Sequence, residues 1–321
     1  MRLLVIGAGG QLARSLAAEA SPAADLSIVA CGRPVADLAE PASIERAILR
    51  HCPDAVVNAA AYTSVDRAES EPAEAFEANA RGAGRVAEAA AARRLPLIHV
   101  STDYVFAGDA ARPYREDDPT GPRSAYGRSK LAGEEAVQAA NPDHAILRTA
   151  WLYSPWGGNF VKTMLRLASE RDTLRVVNDQ HGNPTYAPDL AAAIVAVARK
   201  MLAEPDNPAL RGTFHAAGPE PATWFGLARE IMAASEALGG PFVSTLMPIG
   251  SADYPTPAER PRNSRLDTGR LEAAFGIRLP PRSVSLWKCV AQLLLDGTVA
   301  TRRRTAEVSR TAAPRPAEAR P

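Results

Sequence analysis

The chain has 321 residues, with 37 basic and 36 acidic side chains for a formal charge of +1, so it offers no broad basic footprint for nucleic acid and no pull toward an anionic membrane; a small molecule is the expected partner. Its length suits one large α/β unit with a smaller appended lobe. Three scattered cysteines (Cys31, Cys52, Cys289) without a C-x-x-C pair argue against a disulfide framework and for the reducing cytoplasm, and no apolar run is long enough for a signal peptide or a membrane span.

The first predicted strand, "RLLVIGA", runs straight into "GAGGQLA", which sets Gly7, Gly10 and Ala13 in a G-x-x-G-x-x-A turn at the head of the helix "GQLARSLAAEA". Glycine permits a tight turn and close backbone approach, and a helix N-terminus offers unpaired N–H groups to a diphosphate. Gly7, Gly10, Gln11 and Leu12 are therefore candidate cofactor contacts. The second strand, "LSIVAC", ends at "GRPVADL" with no carboxylate where a ribose hydroxyl is usually read. Arg33 is placed for a 2′-phosphate instead, which favours NADPH and leaves NADH as the alternative. Asp37 and Leu38 lie where an adenine is held, although Asp37 could equally cap the helix "PASIERAILRH".

A third strand, "DAVVNAA", a long helix over 72–94, a fourth strand, "LPLIHVST", the helix "SAYGRSKLAGEEAVQAA" and a fifth strand, "HAILRTAW", follow. None of the strands alternates with polar residues, as expected when both faces of a parallel sheet are covered. The repeated β-α order predicts an α/β doubly wound parallel sheet over residues 1–150, with ligands at the carboxyl ends of its strands and room for later segments to return to it. From 151 to 298 proline and glycine rise in "WGGNF", "GNPTYAPD" and "SADYPTPAERPRNS". That composition suits a smaller C-terminal substrate-binding lobe. Residues 299–321, rich in Arg, Ala and Pro, read as a disordered tail.

Chemistry concentrates around "HVSTDYVFAG" and "SAYGRSK". Tyr126 and Lys130 stand four apart on a predicted helix and share a face, where an ammonium near a phenol favours the phenolate and fits Tyr126 for proton transfer. Lys130 is also placed to hold a nicotinamide ribose. Thr102 ends the fourth strand as a hydroxyl that can polarise a ketone. Trp151, just past a strand end, could wall in a sugar or simply sit in the core, and Arg260 could meet a phosphate or form a structural ion pair. His99, mid-strand, reads as a satisfied core histidine, and His181 receives no role. The five histidines show no metal-ligand spacing, so no metal site is assigned.

Taken together, "GAGGQLA", "VVNAAAYTSVDRAESEP", "STDYVFAG", "PYREDDPTGPRSAYGRSKLAGE", "LRTAWLYSPWGGNFVKTML" and "DQHGNPTYAPDLA" resemble the extended short-chain dehydrogenase/reductases of Rossmann fold, and within them the dTDP-4-dehydrorhamnose reductase family. That resemblance runs from Met1 to about Leu286. It implies NADPH- or NADH-dependent reduction of a 4-keto group on a dTDP-linked sugar. It also implies Thr102, Tyr126 and Lys130 as the catalytic group; Ala61, Tyr62 and Thr63 beside the cofactor; and Asp103 and Trp151 at the sugar nucleotide. Some relatives form a homodimer through Mg2+, but no carboxylate cluster in this sequence marks such a site. Tyr104 stands where sugar-nucleotide dehydratases carry a carboxylate, which argues against elimination. A non-catalytic binding subunit of the same fold and an epimerase stay open as alternatives; net consumption of NADPH separates a reductase from both.

Overall fold

Leu3 and Val5 point to one face of the first strand and Leu4 and Ile6 to the other, and all four are fully buried. A strand of this kind is stable only in the middle of a layered structure, because each side chain contributes roughly 1.5–3 kcal/mol when both faces are covered. The computed structural model describes residues 1–298 except 22 and 24, so the tail expected from 299 onward lies outside the described residues.

Strand β1 (Arg2–Ile6) leads to helix α1 (Gln11–Ala18), β2 (Ser27–Cys31) to α2 (Pro41–His51), and β3 (Ala55–Asn58) to the short helices α3 (Arg67–Ser70) and α4 (Pro72–Phe76) and then α5 (Gly82–Ala91). Strand β4 (Leu97–Thr102), helix α6 (Ala125–Ala140) and strand β5 (His144–Thr149) complete the first half. The long helix expected over 72–94 is interrupted by a π turn at Glu77–Arg81. The turn carries the Asn79 carbonyl toward α6, where a Cβ at Gly133 would stand 2.0 Å from it. Local chemistry sets the other ends: Pro41 opens α2, and the Ser124 hydroxyl accepts the Gly127 N–H at 3.0 Å to start α6.

The chain then makes β6 (Leu152–Tyr153), α7 (Phe160–Glu170), β7 (Thr173–Val177), β8 (His181–Gly182), β9 (Thr185–Tyr186) and α8 (Ala187–Ala203) before β10 (Gly212–His215). It ends with β11 (Ala222–Thr223), α9 (Trp224–Ala237), β12 (Thr245–Ile249), α10 (Gly269–Phe275) and α11 (Arg282–Leu295). Six strands form one parallel sheet in the order β10-β5-β4-β3-β1-β2. One face packs on α1, α8 and α10 through Leu16, Leu190, Ile194 and Leu271; the other packs on α2, α5 and α6 through Ile44, Val86 and Val137. The doubly wound fold is thus present. Its order reverses between β1 and β3, the crevice where such sheets bind ligands. A second core, from Val161, Leu165, Leu174, Ile231 and Val290, holds α7, α9 and α11 around the β7–β12 pair. Among the described residues no helix is long and apolar enough to cross a membrane.

Candidate active site

At the β1–β3 crevice Gly7 adopts φ +110°, and a Cβ there would meet Ala60 N at 3.0 Å and the Ala59 carbonyl carbon at 3.1 Å. Only glycine fits. Gly9 and Gly10 face open space, and Gly10 starts α1 without a side-chain cap, so the first-turn amides at Gln11 and Leu12 are left for a ligand. The Gln11 side chain turns instead to the second half of the chain: its Oε1 accepts from Ser154 Oγ and Asn159 Nδ2, both at 2.9 Å. Arg33 is exposed just beyond β2, and Leu38 is half-buried. Asp37 does not cap α2, which begins after Glu40; its Oδ1 accepts the Ala39 N–H at 3.0 Å in a local turn.

Ala61, Tyr62 and Thr63 leave the end of β3. The loop is pinned by Asn79, a residue no motif singled out: its Oδ1 accepts the Tyr62 N–H at 2.8 Å, and its Nδ2 donates to the Tyr62 carbonyl at 3.0 Å and to Ser129 Oγ at 2.9 Å. The Tyr62 hydroxyl donates to Glu71 Oε2 at 2.5 Å. Ala59, Ala60 and Ala61 thus lie at the end of β3, and the uncapped start of α1 follows β1.

One strand over, at the carboxyl end of β4, the hydroxyl of Thr102 lies near enough to that of Tyr126 to act on its acidity. Thr102 also donates to Asp103 Oδ1 at 3.0 Å and accepts the Tyr104 N–H at 3.2 Å. Burial is the largest influence on Tyr126 and pushes its phenol up to about 12, with Thr102 pulling the other way. Lys130, expected to act on this phenol, is not among the groups that shift it. The buried Lys130 Nζ donates to the Val100 carbonyl at 2.7 Å, and burial brings its pKa down to about 8 against the pull of Glu134. Tyr104 meets the Tyr126 ring edge-on at 5.6 Å. Asp103 is 3% exposed, its Oδ2 has no hydrogen-bond partner, and burial raises its pKa to about 6 although Ser264 and Thr102 lower it. An orphaned buried carboxylate oxygen beside two hydroxyls is an acceptor waiting for a donor.

Trp151 follows β5 with φ +46° and stacks face to face on Trp224 at 3.5 Å. The Trp224 Nε1 donates to Gln180 Oε1 at 3.1 Å. Trp224 and Gln180 help line a cavity of about 880 Å3 with Phe160, Met164, Tyr254 and Arg260. Arg260 is not free: its Nη2 meets Asp66 Oδ2 at 2.7 Å, so the ion-pair alternative holds in this state. Thr102, Asp103 and Tyr126 are outside that lining. His99 is buried and its Nδ1 meets Asn58 Nδ2 at 3.1 Å, but its Nε2 has no partner, so it is only half satisfied. His181 is exposed. No group of three or more metal-ligating side chains occurs among the described residues.

A sequence profile of the RmlD substrate binding domain matches residues 1–295. The chain belongs to this family. Among RmlD-type relatives, the dTDP-4-dehydrorhamnose reductase of Sinorhizobium fredii is 50% identical over 297 residues, covering 92% of this chain and 99% of the relative. A crystal structure of a dTDP-4-dehydrorhamnose reductase from Clostridium acetobutylicum is 34% identical with a TM-score of 0.83, covering 92% of this chain and all of that one (100%). The reductase from Bacillus anthracis, solved in complex with NADP, is 32% identical with a TM-score of 0.83, over 91% and 99% of the two chains. The RmlD family match spans the main sheet and the second core alike, so both halves of the site fall within it.

Proposed function

We propose that this protein is an NADPH-dependent oxidoreductase that reduces the 4-keto group of dTDP-4-dehydro-β-L-rhamnose to dTDP-β-L-rhamnose, a reaction of nucleotide-sugar biosynthesis. The observation that carries the reading is the hydroxyl pair Thr102–Tyr126 at the sheet's carboxyl end, beside the orphaned oxygen of Asp103. The names of the S. fredii and B. anthracis relatives support the substrate and the cofactor.

The residues present fit a dinucleotide. Gly7, Gly10, Gln11 and Leu12 would take the diphosphate, Arg33 a 2′-phosphate, Asp37 and Leu38 the adenine side, and Ala61, Tyr62 and Thr63 the nicotinamide side. Bound NADPH supplies the hydride. Once substrate is bound, Thr102 turns its one hydroxyl proton from Asp103 Oδ1 to the C4 carbonyl oxygen and so stabilises the charge that develops there. Tyr126 holds a proton throughout the physiological range because burial disfavours its phenolate, and it gives that proton to the new alkoxide oxygen. Lys130 holds the ribose. Asp103 accepts a sugar hydroxyl through its free oxygen. Trp151 walls the sugar, and the Trp224 cavity with Arg260 suits the nucleotide diphosphate once a phosphate competes with Asp66 for the guanidinium. The free state of Cys31, Cys52 and Cys289 fits work in a reducing cytoplasm.

Absorbance at 340 nm with dTDP-4-dehydrorhamnose tests the proposal against UDP- and GDP-linked keto sugars, with NADPH and NADH in parallel. Stoichiometric loss of NADPH with the dTDP sugar is expected. Product formed without net loss of the cofactor would instead identify an epimerase, and binding without turnover a regulatory subunit.

A further inference from the structure

Tyr126, Lys130 and Glu134 recur every four residues along α6 and form one stripe on its inner face. The reaction proposed above uses the first two and leaves the third unexplained. Glu134 is 1% exposed, and both of its oxygens are occupied. Oε1 accepts from Ser101 Oγ at 2.5 Å and from Arg148 Nε at 2.9 Å, and Oε2 accepts from Arg148 Nη2 at 2.7 Å. Arg148 is itself buried, lies over the Phe106 ring at 5.0 Å and reaches the Glu116 carbonyl. Burying such a pair costs several kcal/mol per ion before the attraction offsets it, and apolar residues of similar size often serve stability as well. The position next to the reacting groups suggests another use.

One helical turn away, the Lys130 ammonium is 2% exposed with a single neutral acceptor, the Val100 carbonyl. A buried cation with one such partner tends to lose its proton. The titratable or charged groups around it are Tyr126 and Glu134, one turn to either side on α6, and His99 on β4, with Arg148 on β5 engaged by Glu134. Tyr126 and His99 are neutral, the latter because burial holds its pKa well below the ordinary value. Arg148 repels. Glu134 alone favours the ammonium, and Arg148 and Ser101 hold its side chain in place one helical turn away.

We propose that Glu134, anchored by Ser101 and Arg148, is a positioning residue that keeps the Lys130 amine in its ammonium form and directed to the carboxyl end of β4. The functional half of this inference rests on Lys130 being the residue that meets the cofactor ribose. Arg148 gives the carboxylate its orientation, and Ser101 ties it to the residue preceding Thr102, so one buried group supports both reacting side chains from beneath.

The chain has four lysines, Lys130, Lys162, Lys200 and Lys288, so full-length protein labelled with 13C at lysine Cε shows few enough lines to follow Lys130, assigned by its disappearance in Lys130→Arg. The wild-type line should titrate near pH 8. Replacing the pair together, Glu134→Gln with Arg148→Met, removes both charges and should lower that midpoint by roughly one pH unit or more. Glu134→Asp keeps the charge but withdraws it, and should give a smaller shift of the same sign; it decides the matter if the double variant does not fold. The alkaline loss of NADPH binding, read by tryptophan fluorescence, should move with the lysine line. An unmoved Lys130 midpoint in the folded variants overturns the proposal. A shifted line with unmoved cofactor binding overturns the ribose role of Lys130, and with it the functional half alone.

Discussion

Asp103 offers a quantitative test because its two states differ so strongly in cost. The carboxyl is 3% exposed and burial raises its pKa from 3.8 to about 6. At 1.36 kcal/mol per unit, ionising it in the folded protein costs about 3 kcal/mol above pH 7. The sign follows from the direction of the shift. Well below pH 3.8 the group is protonated in both folded and unfolded chains and the penalty vanishes; as pH rises through the unfolded value and then the folded one, the penalty grows to its full size. Asp103→Asn should therefore be more stable than wild type in urea melts at pH 7.5, by up to about 3 kcal/mol, and about half of that advantage should remain at pH 5. The same variant should lose affinity for the sugar nucleotide, since an amide cannot replace an anionic acceptor. A gap in stability that does not change with pH, or a variant less stable at pH 7.5 than at pH 5 relative to wild type, would refute the picture of a carboxylate held for its ligand at the expense of the fold.

Two further outcomes are expected. Tyr126→Phe should keep its circular dichroism and its affinity for NADPH while kcat falls roughly 10²–10⁴-fold, the usual range for a lost general acid; full turnover would remove the proton donor from the mechanism. Gly7→Ala forces a Cβ against Ala60 at φ +110°, which should cost about 1–3 kcal/mol in thermal or urea unfolding and weaken cofactor binding; an unchanged protein would mean that the turn relaxes freely.

The main sheet was readable because its strands are unbroken apolar runs and its helices carry their own start signals, such as Pro41 and Ser124. The hydroxyl pair was readable because a strand end and a helix each place one member within a recognisable string. Other parts of the site leave no local trace. Asn79 acts through a π turn inside what looks like an ordinary alanine-rich helix. Trp224 and Gln180 are 44 residues apart in sequence and meet only through tertiary packing. The electrostatic influence of Lys130 on Tyr126 was inferred from spacing, yet the ammonium turns to a main-chain carbonyl that spacing cannot reveal. Arg260 illustrates the same limit: its partner, Asp66, lies 194 positions earlier.

The return of β10 to the edge of β5, with α8 lying across the sheet beside α1, bears on how such a chain can evolve. A gene cut near codon 150 would yield a product with an exposed β5 border and an unroofed oily surface, so neither half could be traded between enzymes as a cassette. Changes of preferred sugar must then arise by piecemeal drift in the surface segments around Trp224 and Arg260, on a frame inherited whole.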